Sequence, residues 1–122
     1  MDRRRRLLIA LAALAVTASA PSRADTPTVT AVNAVRTGDT WRFDVTVRHA
    51  DAGWDHYADA FVVTTADGRT LGTRVLHHPH VDEQPFTRSL TGVGIPPDVT
   101  TVEVHAVDSV HGPGPPVTVL LR

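Results

Sequence analysis

The stretch WRFDVTVRHA, residues 41 to 50, alternates apolar and polar side chains almost without a break. Trp41, Phe43, Val45 and Val47 share one face and Arg42, Asp44, Thr46 and Arg48 the other, the pattern of a strand with one side buried. The same period of two runs through residues 29–36, 60–65, 70–76, 86–91, 101–108 and 117–121. After residue 24 no window repeats apolar residues at helical spacing over three turns, and prolines at 79, 85, 96, 97, 113, 115 and 116 punctuate the gaps. About seven short strands in a chain of this length predict an all-β fold. The expectation is a single immunoglobulin-like or fibronectin III-like antiparallel β-sandwich.

The first 24 residues stand apart from that pattern. Arg3 to Arg6 form a basic head, an apolar stretch over 7–16 follows, and it is too short to span a bilayer. This is the layout of a cleaved secretory signal, residues 1–24. Of two competing small-residue cleavage sites, the one after Ala24 avoids a proline at the new terminus and predicts a mature domain over 25–122. No cysteine follows the apolar stretch to carry a lipid, so no stable membrane insertion is expected after cleavage, and the expected location is the periplasm or the medium.

Cleavage would remove five arginines and one aspartate and move the formal net charge from −1 to −5. The remaining basic residues are scattered arginines, with no lysine anywhere in the chain. The basic stripe that a phosphate backbone requires is missing, and nucleic acid is not an expected partner. There is no cysteine, and the single methionine is the first residue. The mature core must therefore hold without disulfides, and any metal must be bound through nitrogen and oxygen.

The linkers between the predicted strands are of two kinds. RTGDT, TADGRT and GVGIPPDVT are turn-like, with Gly38 and Gly68 placed where positive φ is needed. HADAGWDHYAD, HHPHVDEQP and SVHGPGPP are longer, and they carry six of the seven histidines: His49 and His56 in the first, His77, His78 and His80 in the second, His111 in the third. Strands that run up and down place alternate linkers at opposite ends of a sandwich. The long linkers should thus meet at one end and bring their imidazoles together. His105 alternates with Val104 and Ala106 and is expected on the outer face.

Clustered imidazole suits copper(II) or zinc. In His78-Pro79-His80 an extended backbone turns both rings to one side. The predicted ligands are His56, His78 and His80, completed by His111, Glu83 or Asp55, with Asp59 and Asp108 orienting rings from behind and His49 and His77 beside the site. Trp54 and Tyr57 flank Asp55 and His56; they are expected to plug the end of the core, an aromatic wall beside the site being the alternative. Arg88 is expected to pair with an aspartate on an adjacent strand. No nucleophile elbow accompanies Ser89 or Ser109, and enzymatic hydrolysis is not favoured. Against the metal reading stands a bland one, in which the histidines hydrogen-bond to loop backbone and the domain is an interaction module that docks a periplasmic protein.

The stretches GWDHYADAF, LGTRVLHHPHVDEQPFTRSL and AVDSVHG resemble those of uncharacterised small secreted proteins of proteobacteria. The resemblance covers most of the mature chain; it implies a secreted single sandwich domain and no particular activity. Superoxide reductases, which place iron on a similar sandwich through four histidines and a cysteine, are excluded in their known form by the absence of cysteine. Copper carriers of the CopC type use an N-terminal histidine, where the predicted mature terminus here is Asp25.

Overall fold

The computed structural model describes residues 26–122, and the signal sequence expected over 1–24 lies outside them. Eight strands follow one another: β1 Thr28–Thr37, β2 Thr40–Arg48, β3 Ala58–Thr64, β4 Thr70–Val75, β5 Phe86–Val93, β6 Thr101–Asp108, β7 Gly112–Pro113 and β8 Val117–Leu120. Every pairing between them is antiparallel. One sheet has the order β1-β2-β5 and the other β4-β3-β6-β7, with β8 also on β6. Among the described residues there is no helix. The molecule is the immunoglobulin-like, fibronectin III-like sandwich that the alternation predicts.

The inward residues of the two sheets make the core. Phe43, Val45 and Val47 of β2 and Phe86 of β5 face Phe61 and Val63 of β3 and Val102, Val104 and Ala106 of β6, all essentially without solvent exposure. Each large apolar side chain removed from water in this way contributes about 1.5–3 kcal/mol relative to exposure. The outward residues of β6, His105 among them, are half-buried, while Thr87, Ser89 and Thr91 on the outer face of β5 are exposed. Burial holds the His105 imidazole below its ordinary pKa, Glu103 acting weakly in the other direction.

The one element absent from the sequence expectation is β7. It pairs Asp108 with Gly112 and Val107 with Pro113, while β8 pairs with the opposite half of β6. The two are parts of one edge, interrupted at Gly114-Pro115-Pro116, where prolines have no N–H to donate. At Gly114 the chain crosses Pro27 so closely that an added Cβ would clash with the Pro27 carbonyl oxygen.

Candidate metal centre

The long linkers, residues 49–57, 76–85 and 109–111, meet at one end of the sandwich. Two of the site residues are put there by continuing the strand alternation beyond the apolar core. In β2 the inward series Phe43, Val45, Val47 leads to His49, and in β6 the series Val102, Val104, Ala106 leads to Asp108. Both side chains are buried at the end of the core, His49 with 1% and Asp108 with 0% exposure. His56 arrives from the loop, where Ala52 N–H donates to the His56 carbonyl (2.9 Å) and His56 N–H to that of Gly53 (3.2 Å). Gly53 takes the positive φ, +111°, that this turn needs.

The three side chains converge on one point. His49 Nε2 lies 2.9 Å and His56 Nε2 2.8 Å from the same oxygen, Asp108 Oδ1. The donor atoms of all three residues lie within 4.8 Å of one another, so this group could hold a metal ion. Although separations of 2.8–2.9 Å would suit hydrogen bonds, neither His56 Nε2 nor Asp108 Oδ1 has a hydrogen-bond partner of acceptable direction. Nitrogen and oxygen are close together but not aimed along their contact, as expected of ligands directed at a shared ion. The ring centres of His49 and His56, and of His56 and His111, are each 5.1 Å apart. An imidazole nitrogen about 2 Å from an ion puts its ring centre about 3 Å away, so two rings on one ion have centres about 4.4–5 Å apart. His111 thus lies beside the group at a spacing close to that of a further ligand.

The surrounding bonds fix the orientation of each donor. Asp51 Oδ1 lies 2.6 Å from His49 Nδ1 and accepts the Ala58 N–H at 3.0 Å, and Oδ2 accepts the His80 N–H at 2.7 Å. An ionised carboxylate can only accept, so Nδ1 is the donor to Asp51, and Nε2 is the ring nitrogen that faces Asp108 and the convergence point. Asp108 Oδ2 accepts the N–H groups of Val110 (3.0 Å) and His111 (2.6 Å), a turn that leaves Oδ1 for the imidazoles. Two carboxylates with no exposed side-chain surface, Asp51 and Asp108, therefore sit together, and their described ion-pair partners are histidines. Buried negative charge of this kind calls for a compensating cation. Its field reaches Asp59, whose carboxyl is raised above the ordinary range by burial first and by Asp108 in addition.

Of the residues predicted from sequence, His56 enters this group and His111 adjoins it. His49 and Asp108, expected beside or behind the ligands, themselves supply donor atoms. His78, His80 and Glu83 do not join it. His80 is buried under Phe86, His78 is exposed next to it, and Glu83 bonds to Arg88 at 3.1 Å. That bond also corrects the expected partner of Arg88, a glutamate of the preceding loop rather than an aspartate of a neighbouring strand. Asp55 and His77 are exposed. Trp54 is not the plug expected at the end of the core; it is 67% exposed and makes a T-shaped contact with Tyr57, centres 5.7 Å apart. The side chains buried at this end of the core are instead the polar ones of His49, Asp51 and Asp108. Sequence reasoning missed Asp51, although His49-Ala50-Asp51 spaces a carboxylate two residues from an imidazole.

Fold and site together describe a two-sheet sandwich domain with a buried two-histidine, one-carboxylate group at its loop end. No family model matches the chain. A protein of the archaeon Halomicrobium mukohataei described as "Putative lipoprotein" is 46% identical over 72 residues, which are 59% of this chain. The match spans 35% of that relative's length, about a third. The hypothetical protein PH1083 of Pyrococcus horikoshii OT3 superimposes with a TM-score of 0.52 over 80% of this chain and 88% of its own, at 13% identity, a likeness of fold.

Proposed function

We propose that this chain is an extracytoplasmic metal-binding protein, a carrier, buffer or accessory factor of the periplasm, that holds copper(II) or zinc through His49 Nε2, His56 Nε2 and Asp108 Oδ1, with His111 as the fourth ligand. The observation that carries this reading is Asp108 Oδ1: a buried carboxylate oxygen within 2.9 Å of two imidazole nitrogens and hydrogen-bonded to neither. The absence of sulfur from the donor set favours zinc and copper(II) over copper(I). Burial on one side and the Asp51 bond behind His49 hold the ligands in place as a retained ion requires. The description of the archaeal relative as a lipoprotein supports a location outside the cytoplasm.

Metal analysis of the protein purified without a histidine tag, followed by titration of the demetallated form with each ion, tests the reading. Near-stoichiometric metal is expected, and replacing His49 and His56 together by alanine is expected to remove it. Wild-type protein that binds neither ion more tightly than free histidine would overturn the proposal. A second reading, an interaction module docking a periplasmic protein, draws on Trp54, Val81 and Val110. These are three exposed apolar side chains, one on each of the loops at this end. Under that reading the double variant would keep its partner and no metal would be needed.

A further inference from the structure

The histidines of the 76–85 loop remain outside the centre described above, and one is in an unusual state. His80 is 5% exposed, and neither of its ring nitrogens has a hydrogen-bond partner. An imidazole always presents at least one N–H, and in its neutral form also a lone pair; burying both positions unpaired forfeits the hydrogen bonds that water would make. The loop's freedom does not account for this, because the residue is fastened on both sides. Its N–H donates to Asp51 Oδ2 (2.7 Å), its carbonyl accepts from Gln84 Nε2 (2.8 Å), and its ring stacks on Phe86 with centres 4.0 Å apart and planes within 11°.

What stands beside it is a second imidazole. The His78 ring centre is 4.7 Å from that of His80, with the planes tilted by 38°. This falls inside the separation of about 4.4–5 Å expected of two imidazoles at adjacent positions on one ion. His78 Nδ1 rests 3.2 Å from the Pro79 carbonyl, which leaves Nε2 as its donor. Glu83, bonded to Arg88 at 3.1 Å, puts an oxygen donor on the same loop.

We propose that His78 and His80 form a second site for a borderline divalent ion such as copper(II), separate from the His49, His56 and Asp108 group. It is the weaker and more accessible of the two, because it offers two protein nitrogens and one of them belongs to an exposed side chain. The sites are physically joined, since Asp51 holds the His49 ring with one oxygen and the His80 backbone with the other. An ion taken up at His78 and His80 is therefore one carboxylate away from the ligands of the buried group.

The test is a copper(II) titration of the demetallated protein, following both stoichiometry and dissociation constants. Two equivalents are expected, the second bound at least about tenfold more weakly than the first. Replacing His78 by alanine and His80 by phenylalanine, which preserves the stack on Phe86, should remove the second equivalent and leave the first within about threefold. Replacing His49 and His56 by alanine should do the reverse, so failure of either site is visible without the other. One equivalent in the wild type that survives in the His78→Ala, His80→Phe protein, or two retained in that protein, would overturn the proposal. If the double variant does not fold, His78→Ala alone alters only an exposed side chain. It should weaken the second equivalent at least about tenfold, and an unchanged constant would overturn the proposal equally.

Discussion

Asp108 does two jobs with two oxygens. Oδ2 closes the turn that begins the last loop, and Oδ1 faces the imidazoles of His49 and His56. Substitutions should separate the two jobs. Asp108→Asn retains an acceptor for the Val110 and His111 N–H groups but removes the charge; zinc affinity should fall by about 100-fold or more while the fold persists. Asp108→Ala leaves two N–H groups and two imidazoles without their shared partner and should cost about 3–5 kcal/mol in urea unfolding. Equal zinc affinity in wild type and Asp108→Asn would remove Asp108 from the ligand set. At this scale the sequence was legible where strand parity continued: His49 and Asp108 extend the inward series Val45, Val47 and Val104, Ala106. Asp108 reads as a supporting residue because it falls inside the predicted strand over 101–108, and His49 does because the H-x-H pair His78 and His80 takes its place in the expected ligand set. Asp51 lies where the alternation has stopped, and nothing in the pattern reports which way a loop carboxylate turns.

Strands were easier to read than the contacts between them. The period of two located seven of the eight, whereas β7, two residues long, has no period to detect. The close crossing of Gly114 over Pro27 joins parts of the chain far apart in sequence and was equally invisible. Gly114→Ala would push its Cβ into the Pro27 carbonyl, and backbone cannot yield as a flexible side chain does. A loss of about 1–3 kcal/mol in stability is expected, read as a lower urea midpoint with an unchanged slope. β6 supplies a pH-dependent contribution of its own. The folded protein holds His105 below its ordinary value of 6.5, so as pH falls the unfolded chain takes up that proton first. The contribution to stability is fully present above about 6.5 and declines as pH falls from there toward the lowered folded value. His105→Thr should therefore lose less stability than the wild type between pH 7.5 and 5 when the demetallated proteins are compared by urea unfolding. Parallel curves for the two would contradict this.

For the whole molecule, a ligand that binds only the folded state adds its binding free energy to stability. Zinc at about a thousand times its dissociation constant should add about 4 kcal/mol and raise Tm by several degrees, an increase absent from the His49→Ala, His56→Ala protein. The architecture gives that coupling a route, because the centre ties β2 to β6 and hence one sheet to the other at the loop end. The convergence of the long linkers was readable from the alternation of short and long connections alone. Which imidazoles met was not, because it depends on how Asp51, Gln84 and Phe86 seat His80 away from the buried group. The central claim concerns the ring nitrogens of His49 and His56, and nitrogen-detected NMR of the histidine side chains observes them directly. With one equivalent of zinc, Nε2 of both residues should move to the metal-bound range while Nδ1 of His49 stays protonated against Asp51. Spectra in which those two nitrogens do not respond to zinc would contradict the account.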